Sequence, residues 1–145
     1  MVRSLGKSVC WALIAVAALA SGQVGESIRV DGAWARRALM LGGAGSGAVY
    51  LSLVNPGKHP DALLGATSDA ARDVEIHESY QESGVMKMRA VGRIDVAAGD
   101  RVELKPGGYH IMLLNLTRDL DAGQVVDMKL RFQTAGAVHV TAHVR

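Results

Sequence analysis

Cysteine is almost missing from this 145-residue chain: the one copy, Cys10, sits inside an apolar run near the start. If that run leaves on export, no thiol remains. Disulfide staples, thiolate metal sites and cysteine nucleophiles are then excluded together. Aromatic residues make up 4% of the chain, so Val, Leu, Ile and Ala must fill the interior. Charge of one sign is lacking as well. The net charge is +2, and Arg3 and Lys7 account for it, so basic and acidic residues balance from Ser21 onward. No basic run exceeds Arg36-Arg37, which excludes a polybasic surface for nucleic acid. Long apolar runs are absent too: Val9 to Ala20 is a run of 12, where a membrane span needs about 20.

What the chain does have begins with that short run. Positive Arg3 and Lys7 precede it and Ala18-Leu19-Ala20 closes it with small residues, the pattern of a signal peptide. Residues 1–20 are therefore expected to be removed, leaving one domain at 21–145, periplasmic or otherwise exported. No cysteine follows the run, so a lipid anchor is not expected. About 125 residues suffice for one core and leave little room for a second. No paired-carboxylate or Ser-His arrangement is visible, so no enzymatic activity is expected.

From Ile28 on, short β-type runs alternate with Gly, Pro, Asn and Asp. Ile28 to Val30, Ala33 to Arg36, Ala48 to Val54, Leu63 to Ala66, Val74 to His77 and Val85 to Val91 read as strands. Arg93 to Val96, Arg101 to Leu104, Tyr109 to Leu114, Val125 to Phe132 and Val138 to Val144 follow. Leu41 to Gly47 reads as a flexible connector, Ser68 to Asp73 as a single helical turn capped by Ser68, and Glu78 to Gly84 as a loop. No longer segment has helical period. Seven to nine short strands at this spacing predict an all-β, single-domain antiparallel sandwich or Greek-key barrel.

The chemistry-bearing residues are histidines and methionines. Side chains alternate along a strand, so His110 and Met112 share a face, as do Met86 and Met88. A hairpin between Val74–His77 and Val85–Val91 brings His77 near Met86 or Met88. Two imidazoles with two thioethers form a soft, neutral donor set, poor for zinc, calcium or magnesium and good for copper(I). Each residue also has a plain reading. Methionines ordinarily fill cores, and the two histidines can be structural. His139 and His143 alternate with Val and Ala and read as the outer face of a last strand. His59 reads as an exposed turn residue and Trp34 as core.

The spacing as a whole is more specific. His77, Met88, His110 and Met112 fall as H-x10-M-x21-H-x-M, and this resembles the pattern of the PCu(A)C (PCuAC) periplasmic copper(I) chaperones. The resemblance extends to Ala33-Trp34-Ala35-Arg36, Gly47-Ala48-Val49-Tyr50, Asn55-Pro56, Gly84-Val85-Met86-Lys87-Met88-Arg89 and Lys105-Pro106-Gly107-Gly108-Tyr109, nearly the whole mature chain. Arg37 to Gly45 departs from it. The resemblance implies a cupredoxin-like β-domain, monomeric, with copper(I) as its metal and His77, Met88, His110 and Met112 as ligands. It implies a copper-accepting protein as partner, either the subunit holding the dinuclear copper centre of cytochrome c oxidase or an assembly factor. The membrane would enter only through that partner. Met86 lies outside the pattern, as a reserve thioether or a packing residue. Copper storage or resistance without delivery, and a metal-free binding module, are the competing functions.

Overall fold

A computed structural model describes residues 27–145. The predicted signal peptide and Cys10 lie outside the described residues. No helix occurs among the described residues; ten strands do. They are β1 (Arg29–Ala35), β2 (Ser46–Val54), β3 (Asp61–Ser68), β4 (Ala71–Glu82) and β5 (Val85–Ala90), then β6 (Ile94–Val96), β7 (Arg101–Leu104), β8 (Tyr109–Leu116), β9 (Val125–Phe132) and β10 (Gly136–Val144).

Seven strands close a barrel in the order β4-β8-β2-β1-β10-β9-β3, and β3 meets β4 again through Ser68 and Ala71. β1 and β10 run parallel, with Trp34 opposite His143; the other pairings are antiparallel. β5, β6 and β7 are added at the margins of this wall, on β4, β3 and β2. The expected all-β, cupredoxin-like single domain is therefore what forms.

The interior follows from strand alternation. Val49, Leu51 and Leu53 of β2, Ile76 of β4, Ile111 and Leu113 of β8, and Val126, Met128 and Leu130 of β9 are buried together. Truncating a core leucine such as Leu113 to Ala in such a site costs about 2–5 kcal/mol. Aliphatic residues carry this core, as the shortage of aromatics requires.

Three local expectations are corrected. Ser68 to Asp73 is not a helical turn: β3 runs to Ser68 and β4 starts at Ala71, so Asp69-Ala70 form a tight hairpin turn. The Ser68 hydroxyl does accept from a nearby amide, Ala70 N–H at 3.1 Å, but it also donates to the Asp127 carbonyl at 3.1 Å and ties the turn to β9. Sheet pairing thus outweighed the local capping signal. Leu41 to Gly47 is not a loose connector, because Leu41 and Ala44 exchange backbone hydrogen bonds at 2.8 and 3.3 Å and Ser46 already belongs to β2. Glu78 to Glu82 is strand rather than loop. The β4–β5 hairpin turns through Ser83-Gly84 alone, both at positive φ (51° and 77°), the backbone a two-residue primed turn demands.

Candidate metal centre

The outer face of the wall formed by β5, β4, β8 and β2 collects the singled-out residues. Because Ile76 and Ile111 face the core, their neighbours His77, His110 and Met112 must face outward. The register then places His77 directly opposite His110 and Glu75 opposite Met112. On the other edge of β4, Ser79 pairs with Met88 and Gln81 with Met86. Both methionines of β5 therefore project from the same outer face as His77. The two imidazoles meet edge to face, ring centroids 5.8 Å apart. A cleft of about 340 Å3 is lined by Met86, Met88, His110 and Met112, with Arg36, Tyr50 and Gly107 among its other walls. Met88, His110 and Met112, and Met86 with them, line this cleft, and His77 adjoins it through the His110 ring. A larger cavity of about 480 Å3 lies between β3 and β4 and contains none of them.

Hydrogen bonds set the imidazoles. His77 Nε2 lies 2.8 Å from Glu75 Oε2. A carboxylate can only accept, so Nε2 carries the proton and Nδ1 keeps a free lone pair. That Nδ1 is buried and has no hydrogen-bond partner. A buried nitrogen left without a partner costs about 1–3 kcal/mol, and a bound metal ion would satisfy it. His110 Nδ1 lies 3.2 Å from the Gly108 carbonyl, so by the same logic Nδ1–H donates and Nε2 is free. Both histidines thus present one unprotonated nitrogen held by a second group, as metal-ligating histidines do.

His110 is 3% exposed. Burial pushes its imidazole below the ordinary value of 6.5, and nearby His77 and Arg36 lower it further, against the opposing Gly108 carbonyl. The ring therefore stays neutral and able to coordinate. Its surroundings are also braced from outside. The Arg145 guanidinium stacks over Trp34 at 4.3 Å, Trp34 packs on Tyr50 at 4.6 Å, and Tyr50 reaches His110 at 6.2 Å. Trp34 is thus a half-buried brace on the outer face and not a core residue. The expected positions of His139 and His143 on the outer face of β10, and of His59 on an exposed turn, hold.

The donor set is selective. No three His, Cys, Asp or Glu side chains among the described residues are placed to hold a metal ion, so a hard or borderline ion finds no ordinary cage. What converges is two neutral imidazoles with thioethers, beside a cationic Arg36 that disfavours higher charge. Glu75, Tyr50 and Arg36 were not singled out from the sequence. Glu75 had a legible signal: two residues before His77 in an extended segment, it had to share His77's face.

The LpqE-like lipoprotein family model matches residues 28–144. A protein of Leifsonia xyli subsp. xyli (strain CTCB07), whose name describes it as a lipoprotein, Lxx21020, is 32% identical over 97% of this chain and 83% of its own length. Among solved structures, the copper-bound PCuAC domain from PmoF2 is 27% identical with a TM-score of 0.66, covering 83% of this chain and 93% of that one. Apo-DR1885 from Deinococcus radiodurans is 26% identical with a TM-score of 0.60, covering 100% and 96%. Its copper(I) form aligns at a TM-score of 0.54 over 78% of this chain and 76% of its own. With nearly all the described residues matched and PCuAC domains as structural relatives, the chain belongs to the LpqE-like, PCuAC family.

Proposed function

We propose that this protein is a periplasmic copper(I) carrier that holds one ion through His77, Met88, His110 and Met112 and hands it to a copper-accepting protein. One observation carries the reading. Four soft, neutral donors lie on one outward face, and the two imidazoles are hydrogen-bonded so that each keeps a free nitrogen, one of them, His77 Nδ1, buried and unpartnered. Likeness to a copper-bound PCuAC domain and to copper(I)-loaded DR1885 supports copper as the cargo. The apolar start of the chain and a relative named as a lipoprotein support export.

The chemistry is ligand exchange without redox change. Copper(I) is d10 and has no strong geometric demand, so a three-coordinate arrangement is accessible while one thioether leaves. The histidines hold the ion on the wall side. Met88, 52% exposed, is the ligand that an acceptor's cysteine or histidine can replace. The resemblance in the ligand spacing makes the dinuclear copper centre of cytochrome c oxidase the proposed destination. Storage uses the same site without a partner, and transfer to an isolated acceptor domain distinguishes the two.

The test is an anaerobic copper(I) titration against a competing chelator, with His77→Ala, Met88→Ala and His110→Ala alongside. One tight equivalent is expected, weakened by about tenfold or more in each variant, which corresponds to about 1.4 kcal/mol or more per ligand. A His110→Ala protein that binds like wild type would sink this ligand set. Absence of binding by wild type would leave a β-domain with an unidentified partner.

A further inference from the structure

Met86 falls outside the ligand spacing, yet it is not a packing residue. Its side chain is 54% exposed, whereas Met128, the thioether that fills the core, is 1% exposed. An apolar side chain left in water forgoes about 1.5–3 kcal/mol of burial, so its placement calls for another explanation. The register supplies one. Met86 and Met88 stand opposite Gln81 and Ser79 on the same face of the β4–β5 hairpin. Met86 reaches across β4 until its methyl carbon lies 3.8 Å from where a side chain on Gly107 would begin. Gly107 belongs to the turn that leads into His110, and Ser79 N–H donates to the Gly108 carbonyl there at 3.0 Å. The Met86 side chain therefore lines the same cleft as Met88 and His110, on the side where the hairpin meets this turn, and is as open to solvent as Met88.

We infer that Met86 is a transfer ligand that holds copper(I) at the mouth of the cleft during loading and release but not at rest. This inference rests on the carrier reading above. In the outward step a bond from copper to Met86 sulfur forms as the bond to Met88 sulfur breaks. A donor from the acceptor then replaces the remaining ligands in turn. Copper stays monovalent, and neither electron nor proton moves, because a thioether carries no ionisable hydrogen. Moving in single ligand exchanges avoids exposing a two-coordinate ion to water. Glycine suits position 107 because its φ is +85°, a conformation other residues rarely adopt.

The test compares wild type with Met86→Leu, which keeps size and apolarity and removes the sulfur, and with Met88→Leu as a resident-ligand control. Equilibrium affinity is read by competition with bicinchoninate, and transfer rates to and from that chelator by stopped flow. The expected result for M86L is transfer slowed by about fivefold or more in both directions with affinity reduced by less than about tenfold. Rates slowed less than that would overturn the transfer role. A larger loss of affinity would make Met86 a resident ligand and overturn it equally. If wild type takes up no copper(I), the carrier reading itself fails. That outcome is distinct, because it is seen before any variant is compared.

Discussion

At the scale of single residues, the site depends on groups that touch no metal. Glu75 holds the His77 Nε2–H and so leaves Nδ1 as the donor. Glu75→Ala is expected to weaken copper(I) binding by about 10–100-fold while leaving the unfolding midpoint nearly unchanged, since Glu75 is exposed and outside the core; chelator competition and denaturant titration check both. His110 makes a second prediction. Burial lowers its folded-state pKa below 6.5, so between the folded and unfolded values only the unfolded chain binds the proton. The stability this group contributes is present above about pH 6.5 and is lost as pH falls from there towards the folded value. Thermal unfolding of the metal-free protein at pH 7.5 and pH 5 should show a drop that His110→Gln reduces. The proposed ligand set was legible through the family resemblance that its spacing carries; alternation along single strands pairs only His110 with Met112 and Met86 with Met88. Glu75 was equally legible by alternation but carries no metal signal of its own. The orphaned Nδ1 and the Arg145–Trp34–Tyr50 brace arise from cross-strand pairings, which one-dimensional spacing does not contain.

At the scale of elements, the β4–β5 hairpin and the β7–β8 turn bring the proposed donors together, and other turns hold the wall beneath them. The β9–β10 turn is fastened by Asp61 at the start of β3. Its Oδ1 accepts from Thr134 N–H at 2.8 Å and Ala62 N–H at 2.7 Å, and its Oδ2 from Ala135 N–H at 2.9 Å. Burial raises the carboxyl's pKa, but these amides and that of Gln133 together outweigh it, leaving the value below the ordinary 3.8. Asp61→Ala strands three amides and is expected to cost about 2–4 kcal/mol, read by chemical denaturation, with the copper stoichiometry unchanged. The stability Asp61 contributes is present above pH 3.8 and disappears as pH falls through its lowered folded value. Strand placement was largely legible from β-type runs and turn residues, although ten strands form where seven to nine were expected. The errors fell at Leu41 to Gly47, at Ser68-Asp69-Ala70 and at Glu78 to Glu82. Glu78 to Glu82 stay extended because β5 and β8 supply their backbone partners, and Ser68 and Ala71 pair as strand right up to the two-residue turn between them; local preference cannot register a partner distant in sequence.

At the scale of the whole molecule, binding to the folded state alone must raise stability by mass action, by about 2.7 kcal/mol when free ligand is 100 times the Kd. Copper(I) is therefore expected to raise Tm in a concentration-dependent way. Zinc(II) should leave Tm unmoved, because no hard or borderline cage exists among the described residues; calorimetry with each ion decides this. Barrel closure itself was anticipated only as one of two β architectures. The β3–β4 seam that closes it is a single residue pair, Ser68 with Ala71, and the parallel β1–β10 pairing joins the first and last of the described strands. Neither leaves a trace in hydropathy.

The proposed donors stand on the outside of a wall whose inner face is packed with Ile76, Ile111 and Leu113. Release of an ion held there is therefore expected to run on a different clock from unfolding. Urea well below the unfolding midpoint should leave the rate of metal loss to a chelator almost unchanged, and a core-truncated variant such as Leu113→Ala, though far less stable, should surrender its ion no faster. A carrier arranged in this way can grow more or less robust as a folded object without any change in how readily it parts with what it carries.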